Sequence, residues 1–313
     1  MSLPEGVVRP MRPEDLGVAI ELFMQTSVLD IRRRLIERLT APSAVDGDIA
    51  LIAERGGTIT GAAKLTAEPA FPGTVSALVA VQGGARGQGI GSELARQLDV
   101  QLTRYGGNKI ATCAIRDDLA RGRQFAQRYG FAVTNHNVGW RLDLAGRADD
   151  LATRATQAAE MAQVRILTPD VHAGRGEVMN LIQESLAGLP IPFGANQGYE
   201  PTKDHHLIPD GSLVVLAEPR DEPGRTCGVS VLAAETDNAV WHIHFTGVTP
   251  GYRRRGVAAA VKAASLVGAS QIGVTAVTAV NDDTNHSIRR LNEKLGMTAT
   301  AGYWSLAHQP SGA

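Results

Sequence analysis

Short apolar stretches alternate along the chain with segments whose apolar residues recur every three or four positions, and turns rich in Gly and Pro separate them. Short apolar stretches predict β-strands, and the wider spacing predicts helices. The predicted strands cover residues 7–10, 49–53, 59–66, 76–81, 109–115, 131–144, 163–167, 212–217, 226–234, 240–248, 272–280 and 303–306. The predicted helices cover residues 12–23, 31–39, 94–102, 118–129, 145–161, 178–186, 259–269 and 284–295.

One local pattern occurs twice. Residues 79–91 (VAVQGGARGQGIG) and residues 246–258 (TGVTPGYRRRGVA) each predict a strand, a Gly-containing turn and a helix start. Three positions match at an offset of 167 residues, namely Arg86, Gly89 and Gly91 with Arg253, Gly256 and Ala258. Gly130 then matches Gly296 at an offset of 166. The repeat predicts two domains, residues 1–145 and 163–313, joined by an Ala-rich helical connector at 146–162.

Each Gly-containing turn has the properties of an anion site. The first N–H groups of a helix have no intrahelical acceptor, and the helix dipole favours negative charge there. The candidate positions for a diphosphate are Arg86, Gly87, Gln88, Gly89, Ile90 and Gly91 in the first copy, and Arg253, Arg254, Arg255, Gly256, Val257 and Ala258 in the second. A dinucleotide fingerprint is excluded, because Ser92 and Leu94 stand where its last glycine is needed.

These motifs resemble those of the GNAT superfamily of N-acetyltransferases. R-x-x-G-x-[GA] after an apolar strand resembles the superfamily's acyl-CoA motif, and residues 281–297 resemble its next helix and the Gly turn that follows. The whole chain therefore resembles a tandem GNAT protein. The resemblance implies two α/β (α+β) domains, each with a mixed, mostly antiparallel sheet flanked by helices, and acetyl-CoA as the co-substrate.

The resemblance also implies how the thioester is held. The strand that carries Val248 (or Val81 in the first copy) is expected to separate from its neighbour there and to offer free backbone groups to the pantetheine. A backbone N–H at this point can also meet the developing oxyanion, which is typically the largest electrostatic contribution.

A general base must take the proton of the attacking amine. Many family members use a Glu on the strand before the Gly-rich turn, but residues 76–81 of the first copy contain no titratable group. In the second copy His242, His244 and Thr246 alternate with apolar residues and are predicted to share one face. His244 is the candidate base, and the alternative is that both histidines are structural.

Many family members also protonate the departing thiolate with a Tyr on the next helix. Ala126 and Asn292 occupy the corresponding positions here. Asn292 can hydrogen-bond the sulfur or the pantetheine, but an amide cannot act as an acid. Asn285 is a further candidate for contact with acetyl-CoA, and helix capping is the alternative for Asn281 or Asn285.

Residues 189–207 are rich in Pro and Gly, and the family fold places loops of this kind over the acceptor. This segment carries Tyr199, Asp204, His205 and His206. It is either the specificity segment or an ordinary surface loop. A metal site is not predicted, because no further ligand lies at helix or hairpin spacing from the two histidines.

Composition narrows the functional classes. The formal net charge of −1 does not imply a nucleic-acid partner. No apolar run approaches the roughly 20 residues of a membrane span, and no signal pattern precedes residue 12, so a cytoplasmic location is expected. Cys113 and Cys227, the two cysteines, fall in different copies, which argues against a disulfide framework or a zinc site.

The function expected from the resemblance is N-acetyl transfer from acetyl-CoA to a primary amine of a small molecule. We assign catalysis to the second copy by direct attack, since no activated Cys is placed near either turn, and structural acetyl-CoA binding to the first. The alternatives are a mycothiol-synthase-like enzyme, a non-catalytic acyl-CoA-binding or scaffold protein, or catalysis by the first copy. The acceptor and the oligomeric state stay open.

Overall fold

The computed structural model describes residues 6–26, 32–40, 48–104, 109–169, 171–187, 199–204, 207–234 and 239–308. The chain forms two compact units. The first unit comprises Met1–Asn137, Pro192–Tyr199 and Ala301–Ala313, and the second unit comprises Val138–Ile191 and Glu200–Thr300.

Eight helices and twelve strands are found in the described ranges. The helices are α1 (Leu16–Met24), α2 (Arg32–Thr40), α3 (Ile90–Arg104), α4 (Ala120–Arg128), α5 (Ala148–Met161), α6 (Val171–Leu186), α7 (Val257–Gln271) and α8 (His286–Lys294). The strands are β1 (Gly6–Pro10), β2 (Ile49–Arg55), β3 (Thr58–Ala67), β4 (Thr74–Val81), β5 (Ile110–Arg116), β6 (Ala132–Asp143), β7 (Val164–Leu167), β8 (Leu213–Pro219), β9 (Gly228–Ala234), β10 (Val240–Val248), β11 (Ala276–Asp282) and β12 (Thr298–His308).

The boundaries of the two units are not the predicted ones, which divide the chain after residue 145 and before residue 163. The strand β12 is last in the chain, yet Tyr303 to His308 pair antiparallel with β5 of the first unit. Conversely, the second unit begins at Val138, within β6. Local apolar patterns predict that a strand exists, but the pairing partner of a strand depends on the whole sheet, and this explains the difference.

The first unit is built on the sheet order β1-β2-β3-β4-β5-β12. Its pairs are antiparallel except for β4 with β5, which run parallel. Helix α3 buries Ile90, Leu94, Leu98 and Leu102, which recur every four residues and so face the sheet together. Helix α1 is part of a separate apolar cluster with Ile52 and Ala80.

The second unit repeats this arrangement with the order β11-β10-β9-β8-β7, and β6 follows β11. From β7 to β11 the pairs are again antiparallel except for β10 with β11. The prediction of mixed, mostly antiparallel sheets flanked by helices is therefore confirmed.

Helix α5 is the predicted connector, and it packs closely against α7 within the second unit. It buries Leu151 and Ala158. Helix α7 also packs against β8 and β9, and its buried residues point in all directions. A helix with apolar contacts on every side needs small residues, which accounts for the alanines of α7. No helix in the described ranges is both long and apolar enough to span a membrane.

Candidate functional site

The parallel strands of each unit separate after a short contact. In the second unit β10 and β11 pair only from Val240 to His242, so residues 243–248 of β10 run on without β11. In the first unit β4 and β5 pair only from Thr74 to Ser76. Each sheet therefore opens toward the Gly-containing turn that follows, as the family resemblance implies for Val81 and Val248.

A β-bulge distinguishes β10 from β4. The register of β10 against β9 shifts between Ile243 and Phe245, so His244 is the extra residue. The pairing of β3 with β4 runs from Gly61 to Ala67 in a continuous register. An extra residue bends the strand and leaves backbone groups outside the ladder, and bulges are common beside active sites.

The bulge corrects the prediction that His242, His244 and Thr246 share one face. The His242 and His244 rings lie edge to face with centroids 5.2 Å apart. Thr246 pairs with Ser230, whose hydroxyl lies 3.1 Å from that of Ser265 on α7, whereas His242 pairs with Ala233. Because Ser230 and Ala233 are an odd number of residues apart, Thr246 and His242 face opposite sides. One extra residue reverses the alternation.

The two histidines have different surroundings. His242 is buried, and its Nδ1 lies 3.0 Å from Oγ1 of Thr278. His244 is half-buried at the bulge. This geometry suits the structural interpretation for His242 and leaves His244 as the candidate base.

The turn before α7 lies at the surface of the second unit. Arg254, Arg255 and Gly256 are exposed, and Gly256 adopts a φ of +88° as the N-cap. Arg254 has a positive φ of +62° where the first unit has Gly87 with a φ of +80°. Among the described residues, no backbone carbonyl accepts a hydrogen bond from the N–H groups of residues 254–258. The turn therefore fits an anionic group such as a diphosphate.

Arg253 holds this turn to the rest of the unit. Its guanidinium donates to the carbonyl oxygens of Val248 at 3.2 Å, Ser185 at 3.1 Å and Ala187 at 2.7 Å. In the first unit Arg86 donates to Val81 O alone, at 3.0 Å, among the described partners. The first arginine of each motif thus binds backbone carbonyls, a role that the sequence analysis did not foresee.

The third arginine also has an internal partner. The guanidinium carbon of Arg255 lies 5.1 Å from the centroid of the Tyr252 ring, within cation–π distance. The Tyr252 hydroxyl donates to Glu222. Of the three arginines, Arg254 is the one that projects from a left-handed, exposed position.

A polar network missed by the sequence analysis lies behind the opening of the second unit. Lys262 of α7 is buried, and its Nζ donates to Oδ1 of Asn292 at 2.5 Å. The Asn292 Nδ2 donates to Oδ1 of Asn281 at 2.8 Å. Burial lowers the pKa of Lys262 to about 7, because desolvation disfavours the ammonium form. Both ends of the Asn292 amide are therefore held inside the unit.

Asn285 adopts the capping role that the sequence left open. It is the N-cap of α8, and its Oδ1 accepts from the Ile288 N–H at 3.3 Å. This bond satisfies one of the orphan donors at the helix start. Contact of Asn285 with acetyl-CoA stays a prediction.

The first unit has a different interior at the same place. A cavity of about 170 Å³ lies between β4 and β5, and Ala126 and Cys113 are part of its wall. Burial raises the pKa of the Cys113 thiol to about 12, and burial raises that of Cys227 to about 11. Both thiols therefore stay protonated near neutral pH.

The predicted specificity segment is only partly described. His205 and His206 lie outside the described residues. Tyr199 belongs to the first unit, where its ring stacks on that of Phe71 with the centroids 4.6 Å apart. Among the described residues, no group of three or more His, Cys, Asp or Glu side chains could hold a metal ion.

A mixed sheet that opens beyond a short parallel contact, with a Gly-containing helix start at its open end, defines the class of GNAT-fold transferases. The chain belongs to the acetyltransferase (GNAT) family, whose model matches residues 22–131 and 180–297. The matched ranges fall in both copies, so the predicted tandem GNAT architecture and the acyltransferase class are confirmed.

Solved structures share the fold over the whole chain. A GCN5-related N-acetyltransferase from Sphaerobacter thermophilus is 15% identical, with a TM-score of 0.72 over 98% of this chain and 97% of that one. A tandem GNAT protein from the clavulanic acid biosynthesis pathway, solved without AcCoA, is 18% identical, with a TM-score of 0.72 over 99% and 100%.

A third similar structure is part of a larger protein. It is the glucosamine N-acetyltransferase region of a fungal multi-domain GH3 β-N-acetylglucosaminidase, 16% identical, with a TM-score of 0.69 over 96% of this chain and 38% of that one. No curated protein sequence matches this chain.

Proposed function

We propose that the second unit transfers the acetyl group of acetyl-CoA to a primary amine of a small molecule. The observation that carries this proposal is the free edge of β10, which leaves β11 after His242 and leads into the exposed N-terminus of α7. The amides of residues 254–258 would hold the diphosphate, and the edge around Val248 would hold the pantetheine.

Direct attack by the amine is favoured over an acyl-enzyme. The pKa values of Cys113 and Cys227 are raised by burial, so neither is a thiolate that could accept the acetyl group. His244, or a water beside it, would take the proton of the amine as the new C–N bond forms. A backbone N–H at the bulge would stabilise the oxyanion until the C–S bond breaks and coenzyme A leaves as its thiolate.

Asn292 would contact the sulfur or the pantetheine from a fixed position. Its Oδ1 accepts from Lys262, so its NH₂ group points toward Asn281 and the open end of β11. Lys262 would act as a positioning residue, because it sets the orientation of this amide. A second proton on Nδ2 remains for a ligand, since an amide carries two donors.

The turn is tested with a matched pair of variants, Ala258→Glu in the second unit and Gly91→Glu in the first. A carboxylate in the first turn of a helix favours the helix itself but repels a bound diphosphate. Thiol release from acetyl-CoA is measured against a panel of small primary amines. We expect Ala258→Glu to lower kcat/KM by about 100-fold or more and Gly91→Glu to retain it.

Full turnover in Ala258→Glu would overturn the assignment, and selective loss in Gly91→Glu would place catalysis in the first unit.

His244 is tested with His244→Gln and His242→Gln. Loss of a base typically costs 10²- to 10⁴-fold in kcat. We expect that loss, together with a changed pH profile, for His244→Gln alone.

A further inference from the structure

The first unit keeps an apolar cavity where its sheet opens. The cavity, of about 170 Å³, is lined on β4 from Ala77 to Val79 and on β5 by Ala111 and by residues from Cys113 to Ile115. Ala77 and Cys113 directly follow the last parallel pair, Ser76 with Thr112, so most of the β4 and β5 lining lies where the two strands have separated. Helices α3 and α4 close its other sides with Ala95 and Ala126.

Its size and its lining point to an apolar occupant. Several of its lining residues are only half-buried, so the cavity reaches solvent, and covering its apolar wall with an apolar group is favourable. An apolar cavity of roughly 150 Å³ in another protein binds benzene. The cavity of the first unit therefore has room for an apolar group of about six carbons.

The cavity lies beyond the Gly-rich turn, beneath α3. Helix α3 begins at Ile90, and its residues from Ala95 to Leu102 line the cavity. At 1.5 Å per residue these positions are about 8 and 18 Å from the helix start. Gly87 and Gly89 adopt left-handed φ values of +80° and +85° in the turn itself. A ligand with its diphosphate at the turn would place its far end in the cavity.

The second unit has polar side chains at the same positions. The offset of the repeat pairs Ala95 with Lys262, Ile115 with Asn281, and Ala126 with Asn292. These three polar residues bond to one another inside the second unit. An apolar acyl chain at this place would have to break these hydrogen bonds and leave buried polar atoms without partners, which is costly. Room for such a chain is therefore a property of the first unit.

The wall of the cavity is mostly apolar, and its titratable side chains are Asp99, Cys113, Tyr129 and His308. Residues 76–81 of β4 contain no titratable side chain, and burial raises the pKa of the Cys113 thiol in the wall. The Tyr129 hydroxyl, also in the wall, donates to Ser92 O at 3.3 Å.

We propose that the first unit binds coenzyme A thioesters whose acyl group is apolar and about six carbons long, with that group seated in the cavity between β4 and β5. The inference shares one premise with the proposed function, namely that a Gly-containing turn holds the diphosphate. It does not depend on turnover in the second unit.

Calorimetry with hexanoyl-CoA, acetyl-CoA and free coenzyme A tests the proposal on the full chain. The Ala258→Glu variant is used as the background, so that binding to the second unit is weakened. Each buried methylene is worth a factor of about four in affinity. We expect hexanoyl-CoA to bind on the order of 10- to 100-fold more tightly than acetyl-CoA.

Ala126→Leu and Ala95→Leu fill the cavity from two different helices. Either variant should remove the preference for hexanoyl-CoA and keep affinity for acetyl-CoA, and Gly91→Glu should weaken both thioesters. Equal affinities for hexanoyl-CoA and acetyl-CoA in the Ala258→Glu background, or a preference that survives both leucine variants, would overturn the inference.

The outcomes also separate this inference from the proposed function. Turnover of acetyl-CoA by the wild type without any hexanoyl-CoA preference removes the inference alone. A hexanoyl-CoA preference that is lost in Ala126→Leu, in a protein without turnover, supports the inference and removes the proposed function. A protein that binds neither thioester contradicts both.

Discussion

The two units share a backbone plan and differ in the polarity of the interior under the helix that follows the turn. The matched residues are Val79, Ala95, Leu98, Ile115 and Ala126 in the first unit, and Thr246, Lys262, Ser265, Asn281 and Asn292 in the second. The apolar set lines a cavity, whereas the polar set forms hydrogen bonds. The opening of the sheet is thus a property of the fold, and the side chains decide what it can accept.

The bulge adds a second difference between the units. Ser76 and His242 occupy equivalent last pairs at an offset of 166, while Arg86 and Arg253 match at 167. The second unit therefore has one more residue between these two positions, and that residue is His244 at the bulge. The second unit therefore has both a titratable side chain and extra backbone groups at the position where β4 has neither.

The largest expected effect comes from removing the partner of the buried lysine. Asn292→Ala copies the first unit and leaves Lys262 without its acceptor, so we expect it to lower the free energy of unfolding by about 3 kcal/mol. In a Lys262→Met background the same change should cost about 1 kcal/mol. Urea denaturation of the four proteins in this cycle measures the coupling, and equal costs in both backgrounds would show that the network is not coupled.

The pH dependence of stability gives the next largest effect. The pKa of Lys262 is lowered by burial to about 7 in the folded unit, against about 10.4 in an unfolded chain. Between these values the unfolded state binds more protons, so stability rises with pH, by at most about 1.4 kcal/mol per pH unit. Below pH 7 both states are protonated and the rise is absent.

Lys262→Met should lack this rise. Lys64 of the first unit also has its pKa lowered by burial, so the informative quantity is the difference between wild type and variant rather than either curve alone. Urea midpoints measured from pH 6 to pH 10 provide it. Parallel curves would mean that Lys262 keeps an ordinary pKa.

A glycine beneath each helix start gives a smaller contrast. Gly228 and Gly61 are equivalent, and each lets the following helix approach the sheet. A Cβ on Gly228 would lie 2.5 Å from Val257 Cγ1, and one on Gly61 would lie 3.0 Å from Ile90 Cγ2. We expect Gly228→Ala to cost about 2 kcal/mol and Gly61→Ala about 1 kcal/mol. Thermal unfolding checks the order, which would be reversed if α7 shifts more easily than α3.

Much of the fold follows from local sequence patterns. The helix starts at the two turns and the strands β2, β3, β8, β9 and β10 agree with the apolar stretches, because each buries an apolar face against its own unit. The partner of β12 could not be predicted, since pairing depends on the whole sheet. The burial of α5 was missed because its contact with α7 uses alanines, which give no marked apolar stripe.

The site was less accessible to sequence reasoning. The turns could be located because glycines and positive φ values leave a clear pattern. The burial of Lys262 could not be predicted, since a lysine in an Ala-rich helix normally reaches solvent. Only the packing around α7 shows that it is enclosed. The bulge at His244 adds one residue without any local signal, so the predicted alternation of His242 and Thr246 was wrong.

The smallest effect concerns the first arginine of each motif, and it decides whether Arg253 acts on the fold or on the ligand. Because Arg253 donates to three carbonyls and Arg86 to Val81 alone among the described partners, we expect Arg253→Ala to cost about 1–2 kcal/mol of stability and Arg86→Ala about 0.5 kcal/mol or less. The second measurement, after stability, is the affinity for acetyl-CoA, determined by calorimetry at several salt concentrations. Removal of a cation that contacts phosphate flattens the salt dependence of this affinity, since screening acts on that contact. We expect Arg254→Ala, which removes an exposed guanidinium, to flatten it and Arg253→Ala to leave it unchanged. A flattened dependence in Arg253→Ala with unaltered stability would return this arginine to the diphosphate.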